Sequence, residues 1–296
     1  MDFDIKTISI KDKNYPEILR SIKKPPQLLY YAGRLPKEEE NCLAIVGSRI
    51  PSAYGKQVCN EIGNEIAGSN VVIVSGLARG IDGIAHTCAV NKNKRTIAVL
   101  GSGIDYSSFY PKENWRLATK IIENDGLIIS EYPIGAKPTK YSFPERNRII
   151  SGLSFGVLVI EAKIKSGSLI TADYAKEQNK YIFTIPNSIY AQGSKGCLEL
   201  IKDGAILTTS ADDIFKRFKE NNLPLIYKND KKVKTIGDND NENIILGLLL
   251  ESEVPLGIES LIKLSGLTSA EAIATITVLE IKNKIIDIKE RNYLIK

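Results

Sequence analysis

Histidine and cysteine, on which most metal sites and many catalytic mechanisms depend, are scarce in this sequence. The 296 residues include one histidine, His86, and four single cysteines without a CxxC pair. This excludes zinc-ribbon spacing and argues against a disulfide framework, so we expect a reducing, cytoplasmic location with no metal and no cofactor. No run of about 18 apolar residues is present and the N-terminus is mixed and charged, so we expect neither a transmembrane helix nor a secretory signal.

Positive charge is in modest excess and unevenly placed. The net charge is +5, but residues 238–296 hold ten acidic and six basic side chains, a net of −4, which leaves +9 on residues 1–237. A basic body suits a polyanionic partner, although an ordinary solvated surface accounts for the same excess equally well.

Short apolar runs rich in β-branched residues recur along the middle of the chain, each followed by a turn and a helix-like stretch. Such runs indicate strands buried on both faces, and their alternation with helices indicates parallel pairing with right-handed crossovers. We predict an α/β fold over residues 41–220, an extended Rossmann-like, doubly wound, mostly parallel sheet. The seven predicted strands are 43–46, 71–74, 97–100, 127–129, 157–160, 181–185 and 205–207.

Three further segments flank this domain. We predict a lead-in over residues 1–40, with one more apolar run at 28–31, and a basic linker over 221–238. Residues 239–296 form a small domain with a winged-helix pattern, three helices and a hairpin. Thr268, with Glu271 three residues later, predicts a capping box on its last helix. The predicted tail helices are 242–250, 257–264 and 268–281, and the hairpin begins at 285.

Glycines, hydroxyl groups and cations follow several of the predicted strands. Gly47, Ser48 and Arg49 come directly after the first strand, and Arg79 and Gly80 lie in the turn after the second. The serines and glycine of 166–168 open the helix after the fifth strand, with Lys163 and Lys165 just upstream. The carboxyl ends of parallel strands meet at one edge of a sheet, so these loops converge into a candidate anion site.

The stretch from Lys140 to Arg148 is the most informative. One lysine and two arginines alternate with aromatic rings within nine residues. This composition suits single-stranded nucleic acid, because cations follow the phosphates while rings stack on bases. The alternative is that Phe143 fills the core, and we expect one of the two arginines, Arg146 or Arg148, to be structural.

Catalytic constellations are not apparent. Asp82 is better explained as a helix N-cap than as a catalytic acid, and His86, one turn later, as a structural histidine. Gly101 and Gly103 form a GxG without the third glycine, and no acidic residue ends the second strand, which disfavours NAD. A GxxxxGK[ST] loop is missing too, so we predict no catalytic residue.

In this order, the motifs resemble the DprA (Smf) family of DNA-processing proteins. The most specific are GSR at 47–49, SGLARGID at 75–82, FPERNRIISGL at 143–153 and EAKIKSGSLITA at 161–172, and the resemblance covers about residues 30–215. It implies a homodimer that binds single-stranded DNA and loads the RecA recombinase in natural transformation, without established catalysis. Single-strand binding protein is a further candidate partner. The predicted DNA site comprises Gly47, Ser48, Arg49, Arg79, Gly80, Lys140, Phe143, Arg146, Asn147, Arg148, Lys163, Lys165, Ser166, Gly167 and Ser168.

Two points qualify this resemblance. The last tail helix carries Glu271 and Glu280 and no basic residue, so we expect the tail to contact protein or regulate the chain rather than read DNA. The alternative function is a Rossmann-fold nucleotide-binding sensor or nucleotide hydrolase. The related phosphoribohydrolases carry a PGGxGTxxE motif, which is missing here, and the nearest acid, Glu161, stands in a different context.

Overall fold

The computed structural model describes residues 3–38, 40–226, 237–252, 255–282, 284–289 and 292–295. The chain divides into two units, Met1–Lys228 and Asn229–Lys296. Most of the predicted linker at 221–238 lies outside the described residues.

Nine strands of the first unit form one sheet. Strands three to nine in chain order are parallel to one another, and the first two add an antiparallel edge. The strands are β1 (Lys6–Ser9), β2 (Leu28–Gly33), β3 (Cys42–Val46), β4 (Val72–Ser75), β5 (Thr96–Leu100), β6 (Leu127–Ser130), β7 (Gly156–Val159), β8 (Tyr181–Thr184) and β9 (Ile206–Leu207). Their spatial order is β1-β2-β6-β5-β4-β3-β7-β8-β9. The predicted mostly parallel α/β sheet is confirmed.

The chain order reverses between β3 and β7. From β3 the chain builds outward through β4, β5 and β6, and then returns to place β7 on the other side of β3. Such a reversal opens a crevice at the carboxyl ends of the two strands, because the following loops diverge to opposite faces of the sheet.

Helices cover both faces of the sheet, which explains why the central strands are apolar throughout. Ala44 and Val46 of β3 pack with the fifth and sixth helices, whereas Leu43 and Ile45 pack with the second, third and eighth. The helices of this unit are α1 (Glu17–Arg20), α2 (Ala53–Ala67), α3 (Ile81–Asn91), α4 (Trp115–Glu123), α5 (Ser142–Gly152), α6 (Gly167–Glu177), α7 (Lys195–Lys202) and α8 (Ala211–Glu220).

The lead-in belongs to the same core. Its β1 and β2 extend the large sheet, and β2 pairs with β6. Leu19 and Leu29 are fully buried in the same core cluster as the isoleucines of α5. The described residues of the lead-in, 3–38 and 40, therefore continue the large domain, because their apolar side chains complete the edge of the core.

The described part of the second unit consists of three helices and a three-stranded antiparallel sheet around a small core. Thr268 and Glu271 form the predicted capping box, in which the Glu271 carboxylate accepts from the Thr268 amide at 2.9 Å. Among the described residues no single helix is long and apolar enough to cross a membrane; the helices Ile258–Ser265 and Ser269–Ile281 meet that criterion only as a pair bent by 118°. The elements are α9 (Asp240–Glu251), β10 (Leu256–Gly257), α10 (Ile258–Ser265), α11 (Ser269–Ile281), β11 (Ile285–Lys289) and β12 (Asn292–Ile295).

Candidate nucleic-acid interface

A groove of about 680 Å³ opens where the chain order reverses. Its walls are the loop after β3, the start of α5 and the loop that leads from β7 into α6. Eleven of the fifteen predicted site residues line it, although they are spread over more than 120 positions of sequence. These eleven are Gly47, Ser48, Arg49, Lys140, Phe143, Arg146, Asn147, Lys163, Ser166, Gly167 and Ser168.

Arg49 and Phe143 lie against each other in this groove. The Arg49 guanidinium carbon is 5.1 Å from the centre of the Phe143 ring, a cation–π contact. The ring of Tyr110 is 5.7 Å from the same ring, with a tilt of 53°. Phe143 is half-buried and Arg49 and Lys140 are exposed, so a ring and two cations face the solvent together.

Gly80 supports the groove from below without lining it. Its φ of +76° is a conformation that L side chains rarely adopt, and a Cβ there would lie 2.3 Å from the carbonyl oxygen of Ser48. The same oxygen accepts from the amide of Ile81 at 3.1 Å. Gly80 therefore lets α3 begin directly beneath Ser48 and Arg49 and acts by positioning them.

Arg146 points inward and forms the floor of the groove. Its Nη1 donates to the carbonyl oxygens of Gly76, at 2.8 Å, and Val99, and its Nε donates to Asn147 at 3.2 Å. The Arg146 residue is 5% exposed, and burial lowers its pKa to about 10 against the opposing charge of Asp82. Arg146 thus ties the ends of β4 and β5 to α5.

Asn147 extends this floor to the other wall. Its Nδ2 donates to the carbonyl oxygen of Gly167 at 3.1 Å, and the hydroxyl groups of Ser166 and Ser168 are 2.7 Å apart. A Cβ at Gly167 would meet nothing within 4 Å. The start of α6 is therefore held in place by Asn147 and remains open toward the groove.

The structure does not bring Arg148 into the groove. Its Nη2 donates to both carboxylate oxygens of Glu131, at 2.7 and 2.6 Å, and its side chain is 12% exposed. We expected one of the two arginines to be structural, but both Arg146 and Arg148 are committed to partners inside the protein. An inward charge is stable only with such partners, and the sequence gives no sign of them.

Arg79 and Lys165 lie outside the groove for different reasons. Arg79 pairs with Glu113 beside it and lines a smaller neighbouring pocket with Tyr110. Lys165 is exposed in the loop before α6, with a φ of +63°. Both remain near the rim, but neither lines the groove.

Asp82 is not the N-cap we predicted. Gly80 occupies that position, and Asp82 lies in the first turn of α3, where its carboxylate accepts from the amide of Gly76 at 3.1 Å. Burial raises the pKa of Asp82, and the charge of Arg146 opposes this rise. Asp82 therefore closes the loop after β4 from beneath.

His86 is fully buried and does not pair with Asp82. Its Nδ1 lies 2.8 Å from the hydroxyl group of Thr96, and burial lowers its pKa to about 3. This placement supports a structural histidine. Within the described residues, no group of three or more His, Cys, Asp or Glu side chains could hold a metal ion.

Sequence reasoning missed several residues that shape the site. Glu161, considered only as an acid of the alternative enzyme class, accepts from the amide and hydroxyl of Ser52 at 3.1 and 2.7 Å and ties the end of β7 to α2. Ile50 is 89% exposed on the groove lip. Tyr110 contacts Phe143 across 33 residues of sequence, a proximity that no local pattern signals.

These features define an α/β protein with a cationic, ring-bearing groove at the reversal point of its sheet. The model of the family described as DNA recombination-mediator protein A matches residues 6–219. The chain belongs to this family, which confirms the resemblance found in its motifs.

Curated relatives agree with this membership. The chain is 44% identical over 220 residues to DNA processing protein DprA of Bacillus subtilis, across 74% of this chain and 73% of that protein. It is 46% identical over 213 residues to DprA of Streptococcus pneumoniae, across 72% and 74%. Protein Smf of Synechocystis is 42% identical over 248 residues, which are 82% of this chain but only 60% of the Synechocystis protein.

Two solved structures share the fold. The X-ray structure of DprA from Streptococcus pneumoniae superposes with a TM-score of 0.67 at 44% identity, covering 72% of this chain and 74% of that one. DNA processing protein A from Helicobacter pylori, for which a single-stranded DNA binding mode is described, has a TM-score of 0.65 at 31% identity. That comparison covers 75% of this chain and 99% of the Helicobacter chain.

Proposed function

We propose that this protein binds single-stranded DNA in the groove without reading sequence, and passes it to RecA as a homodimer during natural transformation. The observation that carries the proposal is that Arg49, Lys140 and Lys163 line one groove with the half-exposed ring of Phe143, which Arg49 contacts. Cations hold phosphates whatever the base, and every base has a face that can stack on a ring.

The electrostatics of the groove favour an anionic ligand. Asp82 is the one acidic residue among the described residues that line it. Its carboxylate accepts a hydrogen bond from the Gly76 amide and is partly neutralised by the nearby charge of Arg146. Arg49, Lys140 and Lys163 are exposed at the surface above it. The DNA-binding description of the Helicobacter pylori relative supports the same assignment.

Arg49→Ala and Lys140→Ala are expected to weaken binding of an oligothymidine and to flatten its salt dependence. When a phosphate contact is lost, the counterions of that phosphate stay on the DNA. The negative slope of log affinity against log salt should therefore become shallower by about 0.7 per contact. Fluorescence anisotropy at several salt concentrations measures this slope. Lys13→Ala, an exposed lysine outside the groove, serves as the control and should match the wild type. Salt-insensitive binding, or tighter binding of duplex DNA, contradicts the proposal.

Transfer of the strand to RecA requires no chemistry from this protein. Its single histidine is buried with a lowered pKa, so it is poorly placed to exchange protons with a ligand in the groove. We expect the tail not to bind DNA, since Lys282 pairs with Asp238 and Glu242 of the same unit. These ion pairs leave less positive charge for a polyanion.

The protein is expected to scatter light as a particle of about twice 32.7 kDa and to speed RecA filament growth on DNA coated with single-strand binding protein. Two sites in one particle hold a long strand more tightly than one site does, because the second contact is intramolecular. A strictly monomeric protein would count against the dimer. Hydrolysis of a nucleotide that Asp82→Asn abolishes in a folded protein would favour the alternative hydrolase.

A further inference from the structure

The turn after β8 holds two large apolar side chains out in water. Ile189 is 68% exposed and Tyr190 is 88% exposed. They are the central residues of a turn in which the Ala191 amide donates to the Ser188 carbonyl at 3.0 Å. Polar residues and glycine usually occupy the central positions of a turn. Here the side chains of Ile189 and Tyr190 both point away from the core. The fold therefore gives the Tyr190 ring no packing role.

Hydrogen bonds close this turn and hold it to the wall of the groove. The Ser194 hydroxyl oxygen lies 2.6 Å from the carbonyl oxygens of both Ser188 and Ala191, and its one hydrogen is shared between these two acceptors, which closes the loop. The Ala162 amide donates to the Gly193 carbonyl, and the Gly196 amide to the Ala162 carbonyl, both at 2.9 Å. Ala162 directly precedes Lys163, so the loop that carries Tyr190 is bonded to the loop that lines the groove.

The surface of these two loops is cationic. Lys163, Lys165 and Lys195 are all exposed, and neither residues 162–170 nor residues 186–196 include an acid. The nearest acid in sequence, Glu161, is buried and bound to Ser52. Lysines beside an exposed ring are what a single strand of nucleic acid needs, charge for the phosphates and a flat face for a base.

We propose that Tyr190 is a second base-stacking platform, on which a DNA strand leaving the groove past Lys163 and Lys165 rests one of its bases. The inference builds on the proposed function, because it assigns the continuation of the same strand. A preformed turn loses little conformational entropy on binding, so the ring can contribute most of its stacking energy. Single-stranded DNA is favoured over a protein partner because Lys163 lines the groove and Lys165 and Lys195 are exposed on the two bonded loops that carry the groove wall and the ring.

The experiment compares Tyr190→Leu and Tyr190→Phe in the full chain. Anisotropy measures their affinity for oligothymidines of about 4 nucleotides, confined to the groove, and about 20 nucleotides, long enough to reach the turn. Tyr190→Leu keeps an apolar side chain but loses the ring. It should weaken binding of the long strand about 5- to 150-fold and leave the short strand unchanged. Tyr190→Phe should bind both strands like the wild type.

Two further measurements separate base stacking at Tyr190 from backbone contacts and from lost avidity. A long strand with abasic sites outside the groove-bound nucleotides should bind wild type and Tyr190→Leu equally. Equal losses on the short and long strands, or a Tyr190→Leu variant that matches the wild type, overturn the inference. Loss of long-strand affinity together with a halved mass in light scattering also overturns it, because lost avidity then accounts for the weaker binding. If the wild type binds neither strand, the proposed function itself fails.

Discussion

Arg146→Met is expected to lower the free energy of unfolding by about 3–5 kcal/mol, the cost of removing one partner from a buried charged cluster. Methionine fills much of the same volume, so the loss reports the charge and the hydrogen bonds rather than a cavity. The carbonyl oxygens of Gly76 and Val99 would lose their donor in a site closed to water. Unmet acceptors and a buried carboxylate without its counter-charge both disfavour the folded state.

The geometry around Arg146 makes lysine an insufficient substitute. A Cβ at Gly76 would lie 2.6 Å from both Nη2 of Arg146 and the carboxylate of Asp82, so the loop after β4 is wedged between the two charges. The planar guanidinium reaches two backbone carbonyls and Asn147 at once, whereas an ammonium group cannot match this fork. Arg146→Lys should therefore recover only part of the stability.

Urea denaturation followed by circular dichroism measures these differences. The control is Arg217→Met, an arginine whose Glu220 partner lies on the helix surface, which should change stability by less than about 1 kcal/mol. An Arg146→Met variant as stable as the wild type would show that Arg146 is not the structural floor of the groove.

Phe143→Ala is expected to reduce affinity for single-stranded DNA by about 1–3 kcal/mol, or about 5- to 150-fold, while leaving the salt slope unchanged. The ring is half-buried between Arg49 and Tyr110, and its accessible part lies on the groove. A base stacked on the Phe143 ring gains dispersion energy and excludes water from the nearby guanidinium of Arg49. No phosphate contact is removed, so counterion release stays the same.

Phe143 also supports its neighbours, so the variant needs two checks. Circular dichroism must show a folded protein, because the Phe143 ring would lie 3.1 Å from a Cβ placed on Gly101 and packs closely over the loop after β5. Phe143→Leu keeps that packing without a ring and should bind as weakly as Phe143→Ala. Undiminished affinity in a folded Phe143→Leu would contradict stacking. A flattened salt slope would instead show that the ring acts by holding Arg49.

The local pattern of residues was enough to predict the sheet and the place of the groove. Short β-branched runs between turns predicted the seven parallel strands, because strands buried on both faces must be apolar throughout. The convergence of their loops followed from parallel pairing alone, and it brought Arg49, Lys140, Lys163 and the 166–168 segment to one groove. The capping box at Thr268 is likewise a local signal, four residues long.

Only the tertiary structure decided which cations face the solvent and which support the fold. Arg146 reaches a carbonyl 70 residues away and Arg148 reaches a carboxylate 17 residues away, yet in sequence both look like their neighbour Lys140. The same holds for Tyr110 beside Phe143 and for the Tyr190 turn, bonded to the groove wall through Ala162. A charge or ring turns inward when partners can replace the water it loses, and those partners come from remote parts of the chain that meet only in the folded protein.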